Sequence, residues 1–134
     1  MRQYTVAEAR ALLPQVIPVV QQLRNAYLEL RALQAAIEIH ARGASGDGNL
    51  TVDPWDGGDG ENRVESLNRE LRSAAVRLSR WGIELKDPER GLIDFYHERP
   101  NGEIVFLCYE IGEDNITHWH HLSDGYAGRK PLEE

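Results

Sequence analysis

Residues 5–42, TVAEARALLPQVIPVVQQLRNAYLELRALQAAIEIHAR, set the architecture of this 134-residue chain. Thr5 is followed three residues later by Glu8, the spacing of a capping box, in which each side chain accepts a hydrogen bond from the other residue's backbone amide at a helix start. A seam of residues then recurs in alternating steps of four and three, as in a coiled coil. It comprises Ala9, Leu13, Val16, Val20, Leu23, Tyr27, Leu30, Gln34, Ile37 and Ala41. The pattern predicts one long amphipathic helix over residues 5–42.

Two prolines, Pro14 and Pro18, lie within this predicted helix. Each proline removes an amide donor and crowds the carbonyl four residues earlier, so each either kinks the helix or breaks it. Because the seam keeps its phase through both prolines, a kink is favoured. The alternative is a break with a second helix that starts near Pro14 or Pro18, since proline is accepted in the first turn of a helix.

A second seam predicts a partner helix over residues 61–86. It consists of Val64, Leu67, Leu71, Ala74, Leu78, Trp81 and Leu85, again three and four residues apart. Residues 43–60, between the two helices, are rich in glycine and aspartate, which predicts a flexible loop that lets the chain reverse. We therefore expect the two helices to pack as a long, antiparallel, coiled-coil-like hairpin.

The hydrophobic period changes after residue 86, and residues 87–134 are predicted to form a small acidic β subdomain. Strand candidates lie at residues 92–96, 103–110 and 116–122. The second of these, EIVFLCYE, is the strongest because branched and aromatic residues dominate it. A small antiparallel sheet needs a cover for its apolar face, and the helical hairpin can supply it. The predicted fold is thus α+β, a single domain over residues 1–134.

Composition excludes several classes of protein. No apolar run approaches the roughly 18 to 20 residues that a membrane span requires. Cys108 is the only cysteine, which excludes an intrachain disulfide and a cysteine-rich zinc cluster. Residues 87–134 carry 11 acidic and 4 basic residues, a charge that repels phosphate backbones and disfavours nucleic-acid binding.

Because the helical pattern runs through any signal-peptide cleavage point, we expect a cytoplasmic location.

Three stretches of the chain together resemble a known family. They are YTVAEARALLPQV (residues 4–16), ELKDPERGLIDF (84–95) and VFLCYEIGEDNITHWHHLSDGYAGRKPL (105–132). The order and content of these stretches are similar to an uncharacterised bacterial family, the domain-of-unknown-function family 2203. The resemblance covers nearly the whole chain, and it implies no activity, cofactor or partner.

The residue types that could carry chemistry concentrate in the C-terminal part. Four of the five histidines lie there, near Cys108 and several carboxylates: His97, His118, His120 and His121. Imidazole, thiolate and carboxylate ligands suit zinc or iron, and a His-x-His pair on a strand puts both imidazoles on one face. The candidate metal ligands, in order of preference, are His120, Cys108, His118 and Asp94.

The strand register decides whether Cys108 can join these histidines. A four-residue loop over residues 111–114 pairs Cys108 with Thr117 and turns it away from His118 and His120, whereas a shift of one residue reverses this. Two interpretations without a metal stay open. In the first, the histidines are polar positions of a half-exposed sheet and Cys108 is a small core residue. In the second, Cys108 and a histidine perform acid–base or nucleophilic chemistry.

A second candidate site is the glycine-punctuated stretch DGYAGR, residues 124–129. Its glycines expose backbone amides and Arg129 offers a bidentate fork, so it is a candidate anion site, with Tyr126 and Trp119 as possible lining residues. The alternative is a tight turn whose arginine pairs with a nearby carboxylate.

Two classes of function follow from these features. The first is a helical-hairpin interaction or assembly protein in which the sheet is a structural cap. The second is a small metal-binding protein or metal-dependent enzyme with its site in the β part. A hairpin with an apolar seam on each helix buries more surface by pairing with a second copy, so we expect a homo-oligomer, most simply a twofold dimer.

Overall fold

The computed structural model describes the backbone of residues 2–44 and 59–133, and the side chains of residues 2–39 and 62–133. Two helices, α1 (Val6–Ala44) and α2 (Asp59–Arg80), pack against each other as a hairpin. A five-stranded antiparallel sheet follows. Its strands are β1 (Ile83–Asp87), β2 (Leu92–Glu98), β3 (Ile104–Glu110), β4 (His118–His121) and β5 (Lys130–Pro131), in that order across the sheet. The predicted α+β fold is confirmed.

Helix α1 begins with the predicted capping box and runs unbroken through both prolines. The Thr5 amide donates to Glu8 Oε1 at 2.8 Å, and the Glu8 amide donates to Thr5 Oγ1 at 3.0 Å. Pro14 and Pro18 are both exposed, so the carbonyls that lose an amide partner lie on the side of the helix that water reaches. The alternative of two separate helices is therefore wrong.

The seams pack as predicted over most of the hairpin. The seam of α1 is buried from Ala9 to Leu30 except at Tyr27, which is half-buried. Leu67 of α2 is fully buried against Ala26 and Leu30, in a small cluster near the far end of the hairpin. The last described seam positions of α1, Gln34 and Ile37, are exposed. Neither described helix is long and apolar enough to cross a membrane.

The end of α2 differs from the sequence prediction. Helix was expected over residues 61–86, but α2 ends at Arg80 and residues 83–87 form strand β1. Trp81 and Leu85 continue the seam spacing, yet Gly82 has φ +75°, and a Cβ there would lie 2.8 Å from Arg2 Cβ. This left-handed turn stops the helix and starts the sheet. The predicted loop 43–60 falls largely on residues 45–58, which lie outside the described residues.

The two faces of the sheet have different covers. One face, which we call the inner face, packs on the helices, and its buried residues belong to the main core cluster: Ile83, Ile93, Phe95, Val105, Leu107, Tyr109 and Trp119. The opposite, outer face carries a different buried set, which is partly polar: Leu92, Asp94, Phe106, Cys108 and His120. Asp94, Cys108 and His120 thus lie on the face away from the helices.

Replacing Leu67 with alanine should destabilise the hairpin by about 2–5 kcal/mol, because a fully buried leucine is lost and a cavity remains. Val76 of the same helix is 47% exposed, so Val76→Ala should change the free energy of unfolding by at most about 0.5 kcal/mol. Guanidinium unfolding of the two variants measures both values. Equal effects in the two variants would mean that Leu67 does not pack between the helices.

Candidate metal centre

Three adjacent strands bring the candidate ligands together. In the register, Asp94 of β2 lies opposite Cys108 of β3, and Phe106 of β3 lies opposite His120 of β4. Directly paired residues project to the same face of a sheet, and so do residues two apart on one strand. Asp94, Cys108 and His120 therefore share the outer face. Cys108 pairs with His118 and not with Thr117, so the register that separates Cys108 from the two histidines is wrong.

The three side chains form a compact buried group. Each offers one ligand atom, and the three atoms lie within 4.8 Å of one another. Asp94 and Cys108 are fully buried and His120 is 3% exposed. Charged or ionisable groups are rarely buried this completely without a compensating partner. The charges of these three side chains must therefore be compensated, either by bound protons or by a metal ion.

The neighbours of His120 indicate which of its two ring nitrogens carries a hydrogen. Its Nδ1 lies 2.8 Å from the backbone carbonyl oxygen of His121. Because a carbonyl oxygen only accepts hydrogen bonds, Nδ1 carries the hydrogen, and in a neutral imidazole Nε2 is then a bare lone pair. This Nε2 faces Asp94 Oδ2 at 3.0 Å. With a neutral imidazole, His120 Nε2 and Asp94 Oδ2 are two acceptors that face each other. This contact is favourable only if the two atoms share a proton or bind a metal cation.

The arrangement is close to that of a zinc site. Ligand atoms around a tetrahedral zinc are roughly 3.3–3.6 Å apart, from bond lengths of about 2.0–2.3 Å. The 3.0 Å between His120 Nε2 and Asp94 Oδ2 is a few tenths of an ångström shorter than this, and the span of 4.8 Å is longer. Small side-chain movements would therefore suffice to admit the ion. The Nδ1–H bond from His120 to a backbone carbonyl is also the contact that orients histidine ligands in metal sites.

The Asp94 carboxylate is poorly compensated by the protein alone. Burial raises its pKa, and the opposing interactions with His120 and the Cys108 thiol, a weak donor, do not cancel this effect. Its Oδ1 is buried and has no hydrogen-bond partner among the described residues. A buried carboxylate oxygen without a partner is unusual, and this oxygen retains the capacity to bind a cation or a hydrogen-bond donor.

Cys108 is a poor nucleophile in this setting. Burial, reinforced by the charge of Asp94, raises the pKa of its thiol to about 12. Nucleophilic cysteines instead have a lowered pKa and an adjacent base, with the carboxylate behind the histidine. Here the carboxylate interacts with both the cysteine and the histidine. The geometry thus disfavours nucleophilic catalysis by Cys108.

Residues 122–129, the covering segment, connect β4 to β5 and contribute to the cover of the outer face. The Arg129 guanidinium is close enough to Cys108 for its charge to oppose the rise in the thiol pKa. Arg129 Nη2 donates to both carboxylate oxygens of Glu113, at 2.8 and 2.9 Å. The ring of Tyr126 stacks with Arg129 and also with Arg90, whose guanidinium carbon lies 3.9 Å from the ring centre.

The remaining candidate residues lie apart from the group. His118 is half-buried, and its Nδ1 lies 2.8 Å from Thr117 Oγ1, so it is not one of the clustered ligands. Trp119 projects to the inner face, where it borders a cleft of about 710 Å³ that His97, Arg99 and Lys130 also line. The structure thus keeps Trp119 away from Arg129 and Tyr126. Asp94, the last of the four candidate ligands in preference, is the residue that contacts both others.

Comparison with known proteins identifies the family and no reaction. A family model described as "Uncharacterized conserved protein (DUF2203)" matches residues 2–132. The chain belongs to this family. The resemblance seen in its three sequence stretches is thereby confirmed. Searches of curated proteins and of solved structures found no match. The geometry of Asp94, Cys108 and His120 is therefore the main guide to what this DUF2203 chain does.

In the metal-free protein, the Cys108 thiol should resist iodoacetamide at neutral and mildly alkaline pH, because it is buried and its pKa is about 12. Unfolding in guanidinium should expose it and restore the ordinary rate of a free cysteine. Mass spectrometry of the alkylated chain measures both rates. Rapid labelling of the folded, metal-free protein would show that the outer face is open.

Proposed function

We propose that this protein binds a divalent transition metal, zinc before iron, through Asp94, Cys108 and His120. The observation that carries the proposal is His120 Nε2 at 3.0 Å from a buried carboxylate oxygen, with a thiol beside the same carboxylate. Imidazole nitrogen, thiolate sulfur and carboxylate oxygen are the donors that zinc takes in proteins. A dication compensates these three buried groups together.

The metal explains the group better than a shared proton does. A proton between Asp94 and His120 satisfies that pair, but it leaves Asp94 Oδ1 without a hydrogen-bond partner among the described residues and leaves Cys108 as a weak donor only. A metal ion binds the carboxylate and replaces the thiol proton, because coordination stabilises the thiolate that burial disfavours. The resulting site of one dication, one carboxylate and one thiolate is neutral. A neutral site costs far less to bury than an isolated charge.

The consequence of binding is a cross-link among three strands. Asp94, Cys108 and His120 come from β2, β3 and β4, so one ion ties together the centre of the sheet. Metal binding to the folded state alone stabilises that state in proportion to the binding free energy. The proposal includes a cytoplasmic location, where thiols stay reduced and Cys108 remains available as a thiolate ligand.

Elemental analysis of protein purified without a histidine tag tests the site. We expect zinc or iron near one equivalent per chain, lost in His120→Ala and weakened in Cys108→Ser, because the ligand atoms supply the binding energy directly. His118→Ala is the matched control. It removes an imidazole two residues away on the same strand and should retain the metal, because His118 lies outside the ligand group.

Two outcomes would contradict the metal proposal. One is metal that dialyses away at substoichiometric levels from the wild-type protein. The other is equal loss of metal from the His118 and His120 variants, which would point to nonspecific binding by surface imidazoles. Circular dichroism of each variant shows whether the fold is retained.

We also propose that the hairpin self-associates, as the uncovered apolar positions of its helices suggest. Ile37 is 37% exposed and Ile39 is 67% exposed near the end of the described side chains of α1. A second copy could cover Ile37 in a twofold arrangement, in which each copy presents the same surface, whereas Ile39, two residues further on, projects to another side of the helix.

Sedimentation analysis at high micromolar concentration should give a mass above the 15.2 kDa of one chain. The double variant Ile37→Glu, Ile39→Glu should be monomeric, because paired carboxylates repel and resist burial at the contact. Val76→Glu, at an equally exposed apolar position of α2, is the control and should leave the mass unchanged. A wild-type monomer at every concentration would refute self-association.

A further inference from the structure

Two buried polar atoms lack hydrogen-bond partners among the described residues, and both belong to groups that act on Cys108. They are Asp94 Oδ1, an acceptor, and Arg129 Nε, a donor. Asp94 lies opposite Cys108 in the strand register. Arg129 is extended and directly precedes Lys130, which pairs with Trp119 of the inner face, so Arg129 lies on the outer face next to His120. Its guanidinium charge also acts on the Cys108 thiol. These two atoms, an acceptor and a donor, thus both belong to side chains that interact with the sulfur ligand of the metal group, although buried polar groups are normally paired.

Arg129 is held firmly while its Nε–H remains unused. Its side chain is only 10% exposed, and its Nη2 is occupied by both oxygens of Glu113. The ring of Tyr126, centred 4.7 Å from the guanidinium carbon, stacks against it. The cost of burying this guanidinium is partly met by Glu113, but the Nε–H finds no acceptor in the part of the chain that the structure describes. A ligand oxygen next to the metal group would supply one.

We propose that the metal bound by Asp94, Cys108 and His120 keeps one coordination position for a small oxygen-donor ligand from solvent, and that Arg129 Nε–H donates a hydrogen bond to this ligand. This inference rests on the proposed metal site. Within the described residues the ligand group supplies three side-chain atoms, whereas zinc takes four ligands. Sites with three protein ligands use the fourth position for water or substrate.

Charge and burial define the class of ligand. The metal with one carboxylate and one thiolate is neutral, and Arg129 is balanced by Glu113, so water can enter without adding charge. A small carboxylate adds one negative charge when it replaces that water, and the metal bond and the charge-assisted hydrogen bond from the guanidinium offset the cost of this charge. The complete burial of Asp94 and Cys108 restricts the position to ligands of a few atoms, of which formate is the probe.

Cobalt(II)-loaded full-length protein, titrated with sodium formate, provides the test. The visible bands of cobalt report its coordination shell, and the near-ultraviolet thiolate band reports that Cys108 remains bound. Wild-type protein should show a saturable change of the visible bands. Arg129→Lys should bind formate about ten- to a hundredfold more weakly with its thiolate band intact, because lysine retains the charge but loses the planar guanidinium and its Nε–H.

Arg90→Lys is the matched control. Arg90 also stacks on Tyr126, but it pairs with Glu110 at an exposed position, so its replacement should leave formate affinity unchanged. Visible bands that do not respond to formate, or equal affinities in the Arg129 variant and the wild type, would overturn the open position and leave the metal site standing. Failure of the wild-type protein to bind cobalt would overturn both.

Discussion

The hydrogen-bonded register between β3 and β4 is the constraint on which both sides of the sheet depend. It places Phe106 opposite His120 and Leu107 opposite Trp119. Because side chains alternate between the faces of a strand, this register sends Trp119 under the helices and His120 to the outer face. A slip of β4 by one residue would put an imidazole into the apolar core and separate His120 from Asp94 and Cys108.

The two faces of the sheet are closed by different means, and this difference creates the site. On the inner face the helices supply apolar side chains that match the apolar face of the sheet. On the outer face the covering segment supplies Tyr126 and Arg129, and it folds tightly: a Cβ on Gly128 would lie 2.7 Å from Asp124 Cβ. Polar groups are thereby removed from water and lie beside apolar side chains such as Leu92 and Phe106, which offer them no hydrogen bonds. Such groups need hydrogen bonds, ion pairs or a metal.

Sequence reasoning succeeded where the signal was local. The capping box of Thr5 and Glu8 and the helical seams depend on neighbours three and four residues apart, and the structure confirms them over most of their length. It failed at Gly82, because the seam spacing continues through Trp81 and Leu85 while a left-handed turn ends the helix. The spacing alone carried no information about that turn.

The candidate site was predictable only as a set of residue types. His120 and Cys108 were the two preferred ligands. Whether they share a face depends on the strand register, and the loop length predicted that register only to within one residue. The contact between His120 Nδ1 and the carbonyl oxygen of His121, which determines which ring nitrogen carries the hydrogen, could not be predicted from the sequence. For the same reason Asp94 ranked below His118, although Asp94 contacts both other ligands and His118 lies outside the group.

X-ray absorption at the zinc edge of the purified protein tests the central claim most directly, because it identifies the atoms bound to the metal. A site formed by Asp94, Cys108 and His120 predicts one sulfur at about 2.3 Å, with imidazole nitrogen and oxygen ligands at about 2.0–2.2 Å. The sulfur contribution should vanish in Cys108→Ser. A shell of nitrogen and oxygen alone in the wild-type protein, or two or more sulfur ligands, would contradict the site.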